Sequence, residues 1–355
     1  MVEGKRSEAL RLVDMVYQGT VFGPTLWNLF YADCSRAILK CEFTEVVYAD
    51  DLNAFKEFEG SKENEDIVEE VKECQLELHR WGAANQVSFD PAKESMHVIS
   101  HVDPSGDDFR ILGVKFDCRL QMAAAVSELV VEARWKLRSL LRATRFFTTA
   151  EQVLHYKSRV LSYLEYRTPA VYHACRTVLD RLDAVQRSFI REIGISAEEA
   201  LLQFNLAPLE ARRDIAMLGV IHRAVLKQGP AHLHKFFRVQ VPQPPVACTR
   251  QATRRHGKQL VDLRSVGSLE IVSRSAHGLV AVYNLLPADV VDLGCVSAFQ
   301  AVLQCMLKDR ASQGAEGWAC MFCPRLQLYQ HPLRTYKWKP SLLLPVTGSR
   351  WALGK

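Results

Sequence analysis

Two adjacent carboxylates, Asp50 and Asp51, follow Glu45-Val46-Val47-Tyr48-Ala49 and precede Leu52-Asn53-Ala54-Phe55. Two short strands around a turn at Asp50-Asp51 would set both acids at a hairpin tip. Grouped carboxylates are oxygen ligands suited to a divalent cation. An Asp-Asp pair is also an ordinary turn former. Some 30 residues upstream stands Gln18-Gly19-Thr20-Val21-Phe22-Gly23-Pro24. Gly19 and Gly23 permit close backbone approach to a ligand, and the Gln18 amide can hydrogen-bond a base. Downstream come Trp81, then Asn85-Gln86-Val87-Ser88-Phe89-Asp90-Pro91-Ala92-Lys93, and last Phe109-Arg110-Ile111-Leu112-Gly113-Val114. Cys320 and Cys323 with His331 have some of the spacing of a zinc site, but a closed site needs a fourth ligand, and none is nearby in sequence.

These residues need elements to hold them. Beyond the Tyr48 hairpin, Ile67, Val71, Cys74, Leu78 and Trp81 repeat at helical spacing from Ser61 onward. Gly82 and Asn85 are its expected stop. Met96-His97-Val98-Ile99 and Arg110 to Val114 read as further strands, separated by the turn-rich Asp103 to Asp108. From about 120 the pattern turns helical. One helix is predicted over 121–146, and a second to about Tyr166, capped by Thr148 or Thr149 with Glu151 or Gln152 as reciprocal partner. A third covers 178–193 and stops at Gly194. Ser196 with Glu199 forms another capping box, and Pro208 suits the first position of a helix ending near Gly229-Pro230. Two helical stretches are expected over 276–286 and 296–310, and the tail from Gly314 has no clear period. The reading is an α+β chain divided at 1–118, 119–238, a Pro-rich basic linker at 239–260, and 261–355.

The charge is unevenly spread. Among 355 residues the net charge is +5, but residues 1–130 hold 13 Lys and Arg against 24 Asp and Glu, a net of −11. Residues 131–260 hold 22 against 10, a net of +12. An acidic part followed by a basic part suggests an anionic partner held by the middle segment; solvated helix faces would give the same count. Arg134, Lys136, Arg138, Arg142 and Arg145 are the candidates for one basic face, and Arg254-Arg255-His256-Gly257-Lys258 for a basic loop. A 48% hydrophobic composition excludes wholesale disorder. Apolar runs fall short of the roughly 18 residues of a membrane span, and the first 15 residues lack a signal-peptide core. An intracellular protein without a membrane partner is expected, its ten cysteines mostly buried thiols.

The order of the motifs from Gln18 to Val114 resembles the palm of reverse transcriptases, in particular those of non-LTR retrotransposons of the LINE or jockey-like type. The resemblance implies that Gln18 and Gly19 lie along template and incoming nucleotide. It makes Asp50 the first carboxylate of the family's Y-x-D-D hairpin, a ligand of catalytic magnesium, and Asp51 the second. Tyr48 joins the nucleotide site. Lys93 becomes a candidate proton donor to leaving pyrophosphate. Phe109, Arg110, Leu112 and Gly113 fall in the hairpin that grips the primer end. Further similarity lies in Leu161 to Tyr166, Leu182 to Arg187, Ala207 to Arg213, and Tyr283-Asn284-Leu285-Leu286-Pro287 with Phe299. The implied fold is a partial palm, an all-α thumb and a mainly helical C-terminal region. The implied partners are an RNA template with a DNA primer and deoxynucleoside triphosphates.

The chemistry so implied is nucleotidyl transfer with two Mg2+ ions about 3.5–4 Å apart. Adjacent strand residues face opposite sides, so Asp50 and Asp51 cannot easily share both ions. The family takes a third carboxylate from an upstream strand, and here Glu3, Glu8 and Asp14 do not stand in that setting. The chain therefore reads as the second half of such an enzyme, and the missing N-terminal half is a further candidate partner. Two readings follow: a polymerase fragment inactive alone, or a non-catalytic remnant that binds RNA or DNA. A decayed element without function fits the same residues.

Overall fold

The computed structural model describes residues 20–240, 256–262 and 270–343. The chain divides into two compact units, Met1–Phe109 and Arg110–Lys355. Gln18, Gly19 and the Arg254-Arg255 pair lie outside the described residues.

In the first unit, α1 spans Gly23–Lys40 and opens on Gly23-Pro24, with proline in the first turn, where its missing N–H costs nothing. Tyr31, Cys34 and Ile38 form its buried side. Leu26, Leu29 and Phe30 are exposed on the same helix. Apolar residues on both sides blur the helical period, which is why periodicity alone does not mark this helix. The strands β1 (Thr44–Tyr48) and β2 (Asp51–Phe55) pair antiparallel, with Tyr48 opposite Asp51 and Val47 opposite Leu52. They form a two-stranded sheet with no third strand among the described residues. The second helix, α2 (Asn64–Ala84), buries Ile67, Cys74 and Trp81, in the period expected, and Glu65 and Asp66 complement its N-terminal dipole.

Two sequence expectations fail here for local reasons. Gly82 is not the stop of α2. It is buried inside the helix, where a Cβ would lie 2.6 Å from the Val87 carbonyl and 2.9 Å from the Phe89 ring. The glycine lets the segment after the helix fold back over it, and Asn85 makes the cap. Met96 to Ile99 do not form a strand. Val98 makes one isolated bridge to Ser105, because the Ser100 hydroxyl accepts from the amides of Val102 and Asp103 and turns the chain at once.

The strands β3 (Phe109–Ile111) and β4 (Val114–Phe116) form a tight hairpin. Its loop residues Leu112 and Gly113 both have positive φ, 49° and 76°, the conformation that suits the twist of a two-residue hairpin. The expected single strand over Arg110 to Val114 is thus two strands with a turn inside. From Arg110 on, the hairpin goes with the helical unit through Val114, which is buried in the same core as the next helix.

That helix, α3 (Ala123–Leu141), begins where the Asp117 carboxylate accepts from the Gln121 and Met122 amides at 2.9 and 2.7 Å. It ends before 146, the expected limit, and a 3-10 turn covers Thr144–Phe146. The following helical stretch runs as α4 (Thr149–Tyr156), a π turn over Lys157–Leu161, and α5 (Ser162–Tyr166). Its start is the capping box expected from sequence: Thr148 accepts from the Glu151 amide, and Glu151 accepts from the Thr148 amide at 2.8 Å. Short α6 (Thr168–Val171) leads to α7 (Arg176–Glu192), which ends before Gly194 at φ 73°. The core of this part joins α3, α4, α5 and α7, with Tyr156 stacked on Phe189 at 4.2 Å and 6° between planes.

Ser196 caps α8 (Ala197–Leu202). Pro208 is the residue before α9 (Leu209–Val225), one position earlier than expected. α10 (Ala231–His234) and α11 (Glu270–Arg274) are short. α12 (Leu279–Tyr283), α13 (Ala288–Val291) and α14 (Val296–Ser312) pack with α9 around a second core. His222 sits at its centre. Its Nε2 donates to the Leu293 carbonyl at 2.8 Å, so its Nδ1 accepts from the Tyr283 hydroxyl at 3.0 Å. Burial lowers the His222 pKa, in keeping with this neutral tautomer.

The expected linker at 239–260 is anchored where it is described. Val239 bridges Leu260, and Asn284 holds the Leu260 amide and carbonyl at 2.8 and 2.9 Å. Leu260 and His256 are buried, and Lys258 pairs with Asp292 at 3.2 Å. The described ends of the segment thus belong to the core, and its prolines lie outside the described residues. The described part of the aperiodic tail, up to residue 343, is tied down as well. Trp318 donates to Glu198 at 2.9 Å, Arg325 donates to the carbonyls of Tyr172 and Ala174, and α15 (Pro332–Thr335) buries Leu333.

Candidate nucleic-acid interface

In the first unit the register moves the two acids apart. The loop is Ala49-Asp50, not Asp50-Asp51, because Asp51 is already paired with Tyr48. Directly opposed residues share a face, so Asp51 and Tyr48 lie together with Val46 and Asn53. Leu52, on the other face, packs into the core of α1 and α2. Asp50 occupies the turn, close enough to Tyr31 to act on it electrostatically. Burial above all, with Cys34, Glu45 and Asp50 adding to it, pushes the Tyr31 hydroxyl up to about 12.

Tyr48 is 65% exposed. Lys93 stands on the turn Asp90 to Lys93, where the Ala92 amide donates to the Asp90 carboxylate and the Lys93 amide to the Asp90 carbonyl. Its ammonium lies 4.0 Å from Asp90, with the side chain 84% exposed. Phe109 stacks on His97 at 4.2 Å, and Arg110 pairs with Glu128 at 2.8 Å. Among the described residues no three His, Cys, Asp or Glu side chains converge on a point. Asp50 and Asp51 could each offer an oxygen to a magnesium ion, but the described residues do not assemble a site for two ions. The Cys320, Cys323 and His331 group is not a ligand set either: His331 Nε2 faces the Cys323 carbonyl at 3.3 Å and Nδ1 accepts from the Leu333 amide.

A different constellation does assemble, in the second unit. A groove of about 490 Å3 runs between α3 and α7. Arg134 and Arg138 line it from α3, and Arg187 and Arg191 from α7. Leu137, Leu141 and Val185 floor it, and Glu192 is its one carboxylate. Spacing explains the placement: 134 and 138 on one helix and 187 and 191 on the other are one turn apart and flank the apolar seam. The seam is closed by buried Leu137, Leu140, Leu182, Val185 and Phe189.

The local ion pairs leave this surface basic. The two carboxylates of α3 are taken, Glu128 by Arg110 at 2.8 Å and Glu132 by Lys136 at 3.1 Å. On α7, Asp180 pairs with Arg187 at 2.9 Å, and Asp183 pairs with Arg213 at 2.6 Å. Among the described residues Arg134, Arg138, Arg142 and Arg191 have no carboxylate partner. The basic face expected from sequence is therefore changed in two ways. Lys136 is not part of it, since it turns to Glu132 and lies over the Tyr163 ring at 5.0 Å. Arg145 sits beyond the helix, over the Phe146 ring at 4.7 Å. The sequence reading also missed Arg187 and Arg191. Their i, i+4 spacing on a helix with strong amphipathic order was the available signal.

No family model matches the chain, and no curated protein or solved structure matches it. No helix among the described residues is long and apolar enough to cross a membrane.

Proposed function

We propose that this chain is related to RNA-directed DNA polymerases of the non-LTR retrotransposon type, and that by itself it holds nucleic acid rather than copying it. The ordered motifs from Gln18 to Val114 support the family. The observation that carries the binding role is the arginine groove between α3 and α7, lined by four arginines and one carboxylate, Glu192; among the described residues Arg187 alone of the four is paired to an acid, Asp180. Guanidinium groups bind phosphate oxygens through paired N–H donors, and such contacts attach a nucleic-acid backbone without reading its sequence. Polymerisation would call on Asp50 and Asp51 for Mg2+ and on Lys93 for a proton, with dNTP and a primer as substrates. Among the described residues the carboxylate set for two ions is not complete.

The test uses the full chain and a labelled RNA–DNA hybrid, read by fluorescence anisotropy over a salt series. Arg138→Glu with Arg191→Glu should weaken binding and lower the salt slope by about one for each phosphate that is no longer neutralised. Both side chains are exposed, so circular dichroism should be unchanged. Binding at the parent level in this double variant would overturn the binding role. Magnesium-dependent primer extension by the parent chain would overturn the claim that it does not copy alone.

A further inference from the structure

The outer side of α3 carries a feature that phosphate binding does not need. Trp135 is 65% exposed and Val131, one turn before it, is 70% exposed. The Trp135 ring stacks on no aromatic neighbour, and its indole N–H has no hydrogen-bond partner among the described residues. Helical geometry sets Arg138 and Arg142 on the same side, three and seven residues on. Neither arginine has a carboxylate partner among the described residues, since Glu128 and Glu132 are engaged elsewhere. A large bare ring among uncompensated cations suits a planar base attached to a phosphate chain.

We propose that Trp135 is a stacking platform for an unpaired base, so that this face takes single-stranded nucleic acid in preference to duplex. The inference rests on the reading of the α3–α7 groove as a phosphate site, and it adds the occupant's strandedness. Inside a duplex both faces of each base are covered by its neighbours, so away from the ends Trp135 can meet only backbone and groove edges. In a single strand a base can swing onto the indole while Arg138 and Arg142 hold the phosphates on either side. Stacking of this kind tolerates any base, because every base has a π-face. Charge favours this occupant over an apolar protein helix, which would leave the arginines unmatched.

The full chain, Trp135→Ala and Arg138→Glu/Arg191→Glu are compared on a short single-stranded RNA and on a duplex of the same length. Trp135→Ala should weaken single-strand binding roughly 5- to 100-fold and leave duplex binding unchanged. Arg138→Glu/Arg191→Glu should weaken both. Trp135→Phe should recover part of the single-strand binding, since it restores a smaller ring. Unchanged single-strand binding in Trp135→Ala, or an equal loss on both ligands, overturns the stacking role while the groove reading stands. If the arginine variant binds both ligands like the parent, the groove reading itself fails.

Discussion

The indole Nε1 of Trp27 donates to the carbonyl of Ala49, at 2.9 Å. The bond ties α1 to the loop that carries Asp50. Ala49 holds φ at 55°, a region that a residue with a Cβ enters at a cost. Trp27 also stacks on Tyr31 at 5.3 Å, so its indole is positioned by the helix core before it meets the loop. A two-stranded hairpin by itself is marginal in water, and this side-chain bond supports it from outside together with Leu52, which packs into the core of α1 and α2.

Trp27→Phe keeps an aromatic ring over Tyr31 but removes the donor. The expected loss is about 1 kcal/mol, the usual net value of such a bond. It should appear as faster hydrogen exchange confined to residues 45–55. Protection equal to the parent over that segment would show that the bond does not hold the loop.

Gly82→Ala should destabilise the first unit by about 1–3 kcal/mol, the range for overpacking. The added Cβ would stand 2.6 Å from the Val87 carbonyl, a backbone atom that cannot rotate away. Gly60→Ala is the control, because a Cβ there meets nothing within 4 Å. Urea denaturation of the two variants should separate them clearly.

Tyr156→Phe should raise stability by about 1 kcal/mol. The ring is fully buried against Phe189, and its hydroxyl has no hydrogen-bond partner among the described residues. Removing an unsatisfied hydroxyl while keeping the ring leaves the stack intact. A lower denaturation midpoint for the variant would mean that the hydroxyl has a partner in solution.

Asp214 links stability to pH. Its carboxylate is buried and accepts from the Tyr172 hydroxyl at 2.6 Å. Burial pushes its pKa up from 3.8 to about 7, with the Tyr172 bond and Arg213 opposing the shift. The neutral carboxyl therefore favours the folded state in full below about pH 4, and that contribution is lost as pH rises through about 7. Asp214→Asn keeps an acceptor for Tyr172 and cannot ionise. It should flatten the decline in stability between these limits, with its largest relative gain at pH 8. Thermal midpoints measured across the range test this, and parallel curves for parent and variant would contradict it.

Local relations were legible from residues alone. The box of Thr148 and Glu151 needs only residues three apart, and the buried side of α2 needs only the period of Ile67, Cys74 and Trp81. The spacing of Arg134 and Arg138 likewise placed them on one side of a helix. The sequence order of Tyr48, Asp50 and Asp51 was enough to name a hairpin, but not its register. A shift of one residue in the turn put Asp51 into β2 opposite Tyr48 and left Asp50 in the loop, where Ala49 holds a positive φ and its carbonyl accepts from Trp27. The groove was decided by tertiary structure alone. Arg134 and Arg187 stand 53 positions apart in the sequence, and they meet because Leu137 and Val185 bury their apolar surface between the same two helices. Burial of apolar area has no direction of its own, so only the packed core fixes which charged edges come together. The arginines of α3 and α7 share a groove because the leucine and valine seam beneath them closes.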